Sequence, residues 1–178
     1  MNQDLSDQQL MQAVAGGDLD AFNELVLRYQ GLAWKTAYRF LGDAMEAEDI
    51  AQEAFLKLLA AAPRYRPQAA FRTYFYQILT HLCIDRTRKR HPVSMDQAPE
   101  TVDLSPGPAE KLIEKERSAQ VRAALDTLPA NQKAAMILRH YEGLSYAEIA
   151  RILGLTSKAV ERLISRAMTS LQARLTRL

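Results

Sequence analysis

The chain has a single cysteine, Cys83, so no internal disulfide can form and nothing requires an oxidising compartment. No apolar run approaches the roughly 18 residues that span a bilayer. The opening Met1-Asn2-Gln3-Asp4 lacks the basic-then-apolar pattern of a secretion signal. These absences lead to the expectation of a soluble, cytoplasmic protein. Glycine and proline number only seven each, and β-branched runs are scarce, which favours an all-helical chain. No phosphate-cradling glycine loop or nucleophile motif is present, so neither an enzyme nor a small-molecule substrate is expected. His81, Cys83 and His91 match no common zinc spacing, so neither a metal nor a cofactor is expected.

Hydrophobic residues make up 48% of the chain and charged residues 25%, enough apolar content for a core. The net charge of +2 conceals a block pattern. Met1–Ala62 carries ten acids against four bases, and Phe71–His91 five bases against one acid. Pro92–Glu116 carries six acids against two bases, and Arg117–Leu178 ten bases against four acids. Separate basic blocks are a common footprint of nucleic-acid contact, although solvated helix faces would look the same.

Helical periodicity and stop signals divide the chain. Ser6 and Gln9 have capping-box spacing, with Leu5 and Leu10 as a hydrophobic staple, and Gly16-Gly17 ends that first helix. A second helix is predicted over Leu19–Leu41, stopped by Gly42, and a third over about Ala44–Ala61, stopped before Pro63. A fourth runs from about Ala69 to Arg90, with Pro92 beyond it. Pro92–Pro108 is acidic, holds four prolines and has no apolar period, and reads as a flexible linker. Fully stretched it reaches roughly 60 Å, more than the ~34–36 Å of one duplex turn. Helices resume over about Ala109–Thr127, Ala130–Tyr141, Tyr146–Leu153 and Ser157–Leu175. The expected architecture is all-α: two small helical domains, 1–91 and 109–178, on the tether 92–108.

The densest local signals lie between Gly143 and Arg166. Gly143 suits the residue after a helix, Ser145 and Glu148 form a capping box, and Leu144 and Ile149 the matching staple. Gly154-Leu155 makes a tight turn, and Thr156 or Ser157 caps the next helix. There Val160, Leu163, Ile164, Ala167 and Leu171 form the apolar stripe. Lys158, Glu161, Arg162, Ser165, Arg166 and Thr169 remain outside, with Arg162 and Arg166 one turn apart on one face. This is a helix-turn-helix whose second helix can enter a major groove. Arginine can pair with guanine O6/N7, while lysine or serine can hold phosphate. Glu161 is discordant: an acid there repels phosphate unless it accepts from a cytosine N4 or pairs with Lys158 or Arg162. A plain helical hairpin with solvated charges is the competing reading.

At these residues the sequence resembles the extracytoplasmic-function (ECF) sigma factors, the small two-domain group that directs bacterial RNA polymerase to promoters. The C-terminal match runs through Leu125-Asp126-Thr127-Leu128-Pro129, Gln132-Lys133-Ala134-Ala135 and Leu138-Arg139. It continues with Tyr141-Glu142-Gly143-Leu144-Ser145-Tyr146, Glu148-Ile149-Ala150, Ala159-Val160-Glu161 and Ser165-Arg166-Ala167. The N-terminal match comprises Asp18 with Ala21-Phe22, Ala47 through Phe55, and Phe71-Arg72-Thr73-Tyr74 through Ile84-Asp85.

The resemblance implies a division of labour. The Asp49–Phe55 helix is similar to the family's polymerase-binding surface, with Asp49, Gln52 and Glu53 on one polar face and Phe55 packing inward or against the partner. Without the resemblance a solvated acidic face is the plainer reading. The Phe71–Arg90 helix is similar to the element that captures the melted −10 strand, held by aromatics in a cationic groove. Most of the stripe Phe71, Tyr74, Phe75, Ile78 and Leu82 should be core, and Tyr74 and Tyr76 fall either to core or to DNA. Arg72, Arg86, Arg88, Lys89 and Arg90 are assigned to phosphates. The Arg64–Ala70 loop lies where the family forms a pocket for a flipped base, and His81 stands where members often carry asparagine. In the recognition helix the resemblance points to the −35 element, with Arg162, Ser165 and Arg166 as readers, Lys158 as a backbone contact, Ser157 also among the DNA-binding residues, and Glu161 open. Core RNA polymerase, promoter DNA and an anti-sigma factor, often membrane-bound in this family, are the implied partners. The competing readings are a stand-alone helix-turn-helix regulator binding duplex DNA without polymerase, and an adaptor that only binds polymerase. The Phe71–Arg90 block separates these, because a repressor has no need of a strand-capture helix.

Overall fold

The computed structural model describes residues 5–90 and 119–175. The predicted linker Pro92–Pro108 and the first part of the helix predicted from Ala109 lie outside the described residues. What is described is all-helical, without strands: α1 (Asp7–Ala15), α2 (Leu19–Leu41), α3 (Ala44–Ala61), α4 (Phe71–Arg90), α5 (119–126), α6 (Ala130–His140), α7 (Tyr146–Leu153) and α8 (Ser157–Leu175). A short 3-10 turn, Ala62–Arg64, follows α3 where Pro63 removes an amide donor.

The local signals act where the sequence places them. Ser6 and Gln9 exchange both capping-box bonds at the start of α1. Asp18 accepts from the Ala21 amide to open α2, and Asp43 from the Glu46 amide to open α3. Helix α4 begins at Phe71, two residues later than expected, because the Ala70 carbonyl already takes the amides of Thr73 and Tyr74. Gly42 ends α2 at φ +71, a left-handed conformation that costs a residue with a Cβ of order 1 kcal/mol or more. A Cβ there would also sit 3.3 Å from Arg122 Cδ.

The N-terminal core gathers Leu10, Leu25, Phe40, Ile50, Leu58, Phe71, Phe75 and Leu79, all nearly or fully buried. Each such apolar side chain contributes about 1.5–3 kcal/mol of burial. Tyr29 sets its ring edge against Phe71 and Phe75 at 5.1 and 5.4 Å, and Phe55 lies 5.2 Å from Phe75. The Tyr29 hydroxyl donates to Asp7, while Arg28 bonds Asp7, Glu24 and the Leu5 carbonyl, so α1 is tied down over α2. The C-terminal core collects Leu125, Leu128, Leu138, Leu144, Ile149, Ile152, Val160, Ile164 and Ala167.

The two cores interlock. Ala134 and Ile137 of α6 belong to the N-terminal cluster, and Tyr76 of α4 belongs to the C-terminal one. Helix α4 is therefore covered on two sides, by α2 and α3 on one and by α6 and α7 on the other. The domains expected on a tether are packed together in this structure, along a seam whose bonds come mainly from charged side chains. Arg122 lies 4.7 Å over the Tyr38 ring and donates to its hydroxyl. Lys133, almost wholly buried, donates to the Phe40 carbonyl at the end of α2 and to Asp126. Arg151 donates to the Gln68 carbonyl at 3.1 Å. Two cations, Lys133 and Arg90, thus satisfy carbonyls in the last turn of α2, where the helix dipole is negative.

Candidate nucleic-acid interface

The helix-turn-helix is built as its residues require. Ser145 Oγ accepts from the Glu148 amide, and the Glu148 carboxylate accepts from the Ser145 amide and hydroxyl at 2.8 and 2.7 Å. The Ser145 backbone bond, then its hydroxyl, hold the Glu148 carboxyl below the usual carboxylate range. Gly154 turns the chain at φ +66, with its own amide and that of Leu155 on the Ala150 carbonyl. Thr156 Oγ1 accepts from Ala159, resolving the cap of α8 in favour of Thr156. Arg139 lies 5.0 Å over the Tyr146 ring and donates to the Leu144 carbonyl, fixing α6 to the α7 entry.

In α8, Val160, Ile164 and Ala167 are buried and Leu163 and Leu171 half-buried, as the stripe requires. Ser157, Lys158, Glu161, Arg162, Ser165 and Arg166 are all exposed on the opposite side. The Arg162–Arg166 face is therefore presented outward by a helix whose other face is anchored. Among the described residues Glu161 forms no ion pair, with Lys158 and Arg162 included.

The residues assigned to −10 capture divide into three groups. His81, Arg88 and Lys89 are exposed and Arg86 is half-exposed along the last turns of α4. Arg90 is engaged within its own domain, in a two-pronged pair with Glu46 and on the Leu41 carbonyl. Tyr74 is half-buried, its ring 5.0 Å from Tyr65 in the 65–70 loop. Tyr76 is fully buried at the seam. Its hydroxyl donates to Glu142 at 2.6 Å and accepts from Arg72, whose guanidinium also lies 5.4 Å over its ring. Burial first, and the bond to Glu142 second, push the Tyr76 phenol up to about 12.

Of the residues assigned to polymerase, Asp49 and Gln52 are exposed and Glu53 half-exposed on α3. Phe55 is 8% exposed and packs on Phe75. Beside them lies a groove of about 360 Å³ between α2 and α3, lined by Val26, Gln30, Trp34, Glu48, Gln52 and Phe55 among others. Trp34 stacks on Tyr38 at 5.1 Å and 6°. The α2 side of this groove escaped the sequence reading. An aromatic pair four residues apart was the available signal, but the same pair is equally expected in a core.

Glu142 does not stand out in the sequence either. It follows α6, and its side chain is only 7% exposed. Its carboxylate accepts from Arg39 at 2.6 Å, Thr36 at 2.9 Å and Tyr76 at 2.6 Å. All three donors belong to the other domain.

Residues 25–92 match the family model described as Sigma-70 region 2, and residues 118–171 match Sigma-70, region 4. The chain is 35% identical over 158 residues to the RNA polymerase sigma-H factor of Pseudomonas aeruginosa, covering 83% of this chain and 82% of that protein. It is 31% identical to the ECF RNA polymerase sigma-E factor of Escherichia coli, over 94% of this chain and 93% of that protein. Among solved structures, CnrH in complex with the cytosolic domain of CnrY aligns at a TM-score of 0.70 and 26% identity, over 96% of this chain and 97% of that one. The sigma factor RpoE of Bartonella quintana, solved with the anti-sigma factor NepR, aligns at 0.67 and 25% identity, over 87% and 96%. Sigma regions 2 and 4 in order, with relatives matched along most of their length, place the chain in the extracytoplasmic-function sigma factors, initiation subunits of bacterial RNA polymerase.

Proposed function

We propose that this sigma factor grips its promoter at two points and polymerase at a third. In this reading α8 enters the major groove of the −35 element, with Arg162, Ser165 and Arg166 reading bases and Ser157 and Lys158 holding the backbone. Helix α4 and the 65–70 loop take the melted −10 strand, through Tyr74, His81, Arg72, Arg86, Arg88 and Lys89. Asp49, Gln52 and Glu53, with the adjoining groove that Phe55 and Trp34 line, dock on core polymerase. Tyr76 and Arg90 join the −10 site only if their present partners release them. The chain acts in the cytoplasm and performs no chemistry of its own; binding energy selects the start site, and polymerase makes the bonds.

The observation that carries this reading is the outward Arg162–Arg166 face of an anchored α8 in a chain that also carries the region 2 helix α4. An unpaired Glu161 on that face fits an acceptor for cytosine N4, so the upstream element should contain a cytosine at that position. The solved relative bound to the anti-sigma factor NepR supports an anti-sigma partner for this chain as well. Transcription with reconstituted core polymerase on a randomised promoter library tests the whole. Enriched start sites sharing an upstream and a −10 element are expected. A chain that shifts duplex DNA tightly alone and adds nothing to core would be a stand-alone regulator instead.

A further inference from the structure

Three donors from two helices of the N-terminal domain converge on one carboxylate of the C-terminal domain. Arg39 and Thr36 stand one turn apart on α2, and Tyr76 faces them from α4; Arg72 backs Tyr76 through its hydroxyl and ring. Seen from the N-terminal domain alone, this is a pocket of hydrogen-bond donors beside guanidinium charge with an anion seated in it. Its donors address both Glu142 oxygens, Arg39 and Thr36 on Oε1 and Tyr76 on Oε2. A phosphodiester offers the same feature, two anionic oxygens on one centre, and it draws the same charge-assisted bonds.

The surroundings give that likeness a direction. Tyr76 and Arg72 lie on the helix read above as the strand-capture element. The same C-terminal domain that inserts Glu142 also fastens Arg151 to the Gln68 carbonyl in the adjoining loop. We infer that Arg39, Thr36 and Tyr76 form an anion site that Glu142 occupies in the closed chain, and that a backbone phosphate of the single promoter strand takes this site once the C-terminal domain moves off. Glu142 is then an internal surrogate for phosphate. Closure and strand capture exclude each other because they compete for the same donors, and opening exposes Tyr76 as it frees the pocket. The inference rests on the strand-capture reading of α4.

The test uses the full chain and a fluorescein-labelled thymidine dodecamer, read by anisotropy at low salt. Glu142→Gln keeps the shape of the side chain and removes its charge, and should bind the strand several-fold more tightly than the parent. Adding Arg39→Ala or Thr36→Val to Glu142→Gln should erase that gain. The Arg39→Ala addition should also flatten the slope of log affinity against log salt by about 0.7, one phosphate contact on a single strand. Equal helical content by circular dichroism shows that each variant is folded, and Glu142→Ala serves if Glu142→Gln is not. Strand binding unchanged by loss of Glu142, or a gain that survives loss of Arg39 and Thr36, overturns the inference. Displacement of the strand by inorganic phosphate far beyond that by chloride of equal ionic strength would mark a site for the free ion and overturn the strand assignment. Transcription with core polymerase reports separately. Normal transcription with failed strand arms sinks only this inference, whereas successful strand arms with no transcription sink the sigma reading of the mechanism.

Discussion

Single side chains carry much of the behaviour expected of this protein. Arg166 is exposed one turn beyond Arg162 and has no structural duty to α8. Arg166→Ala should therefore cost about 1–3 kcal/mol of promoter affinity and relax preference at one upstream base. Holoenzyme binding to a set of single-base promoter variants checks this; an equal loss on every variant would mean a phosphate contact only. Cys83 is fully buried, and burial pushes its thiol well above the ordinary range. It should stay silent to Ellman's reagent in the native chain and titrate as one thiol in denaturant. The Tyr76 phenol, ordinarily near 10, is held at about 12. The folded chain keeps that proton where the unfolded chain has lost it, so its contribution is whole below about pH 10 and declines as pH rises towards 12. Thermal unfolding should weaken more steeply over that window in the parent than in Tyr76→Phe. Tyr76 also marks a limit of sequence reading. Its place beside the main stripe of α4 fits core and DNA equally, and its burial comes from the C-terminal core, where its hydroxyl meets Glu142, 66 residues away.

Among the elements, those whose ends are fixed by local chemistry were legible almost residue by residue. α7 spans Tyr146–Leu153 and α2 spans Leu19–Leu41 because Ser145, Asp18, Gly154 and Gly42 act within a few residues of themselves. Ser145→Ala should remove the two bonds of the Ser145 hydroxyl, one accepted from the Glu148 amide and one donated to its carboxylate, while the Ser145 amide keeps its own. Stability should fall by about 1 kcal/mol, seen as a lower thermal midpoint with the helix content retained. α4 was legible as a helix but not as a two-sided one. Periodicity finds one apolar face well, and here a second face, on which Tyr76 joins the C-terminal core, lies under α6 and α7. The order of the helices says nothing of that second cover. The charged residues of the seam were invisible for the same reason: Arg122, Lys133 and Arg151 look like solvent-facing cations until their carbonyl and aromatic partners arrive from the other domain.

For the whole molecule, the seam is the feature that decides how the two reading heads can be used. Its polar bonds can be exchanged for water at small net cost, as in interfaces that open and close, whereas the apolar contacts of Ala134, Ile137 and Tyr76 oppose opening. In the closed chain α8 is outward but part of α4 is covered. In the proposed two-point grip, Tyr76 becomes free only when the seam opens, whereas His81, Arg88 and Lys89 are exposed already. Spin labels placed on introduced cysteines at Gln12 and Ser170, both exposed, should give one narrow distance in the free chain; the buried Cys83 need not be removed. Core polymerase should lengthen that distance, and a broad distribution in the free chain would mean that the seam does not hold in solution.

Trp34 has a consequence of another kind. It is the single tryptophan of the chain, and it lines the groove between α2 and α3. A chain grown on fluorotryptophan would carry one fluorine nucleus at that surface and nowhere else. Its lone resonance would then report on any partner entering the groove, against the silent background of a polymerase or inhibitor many times its size.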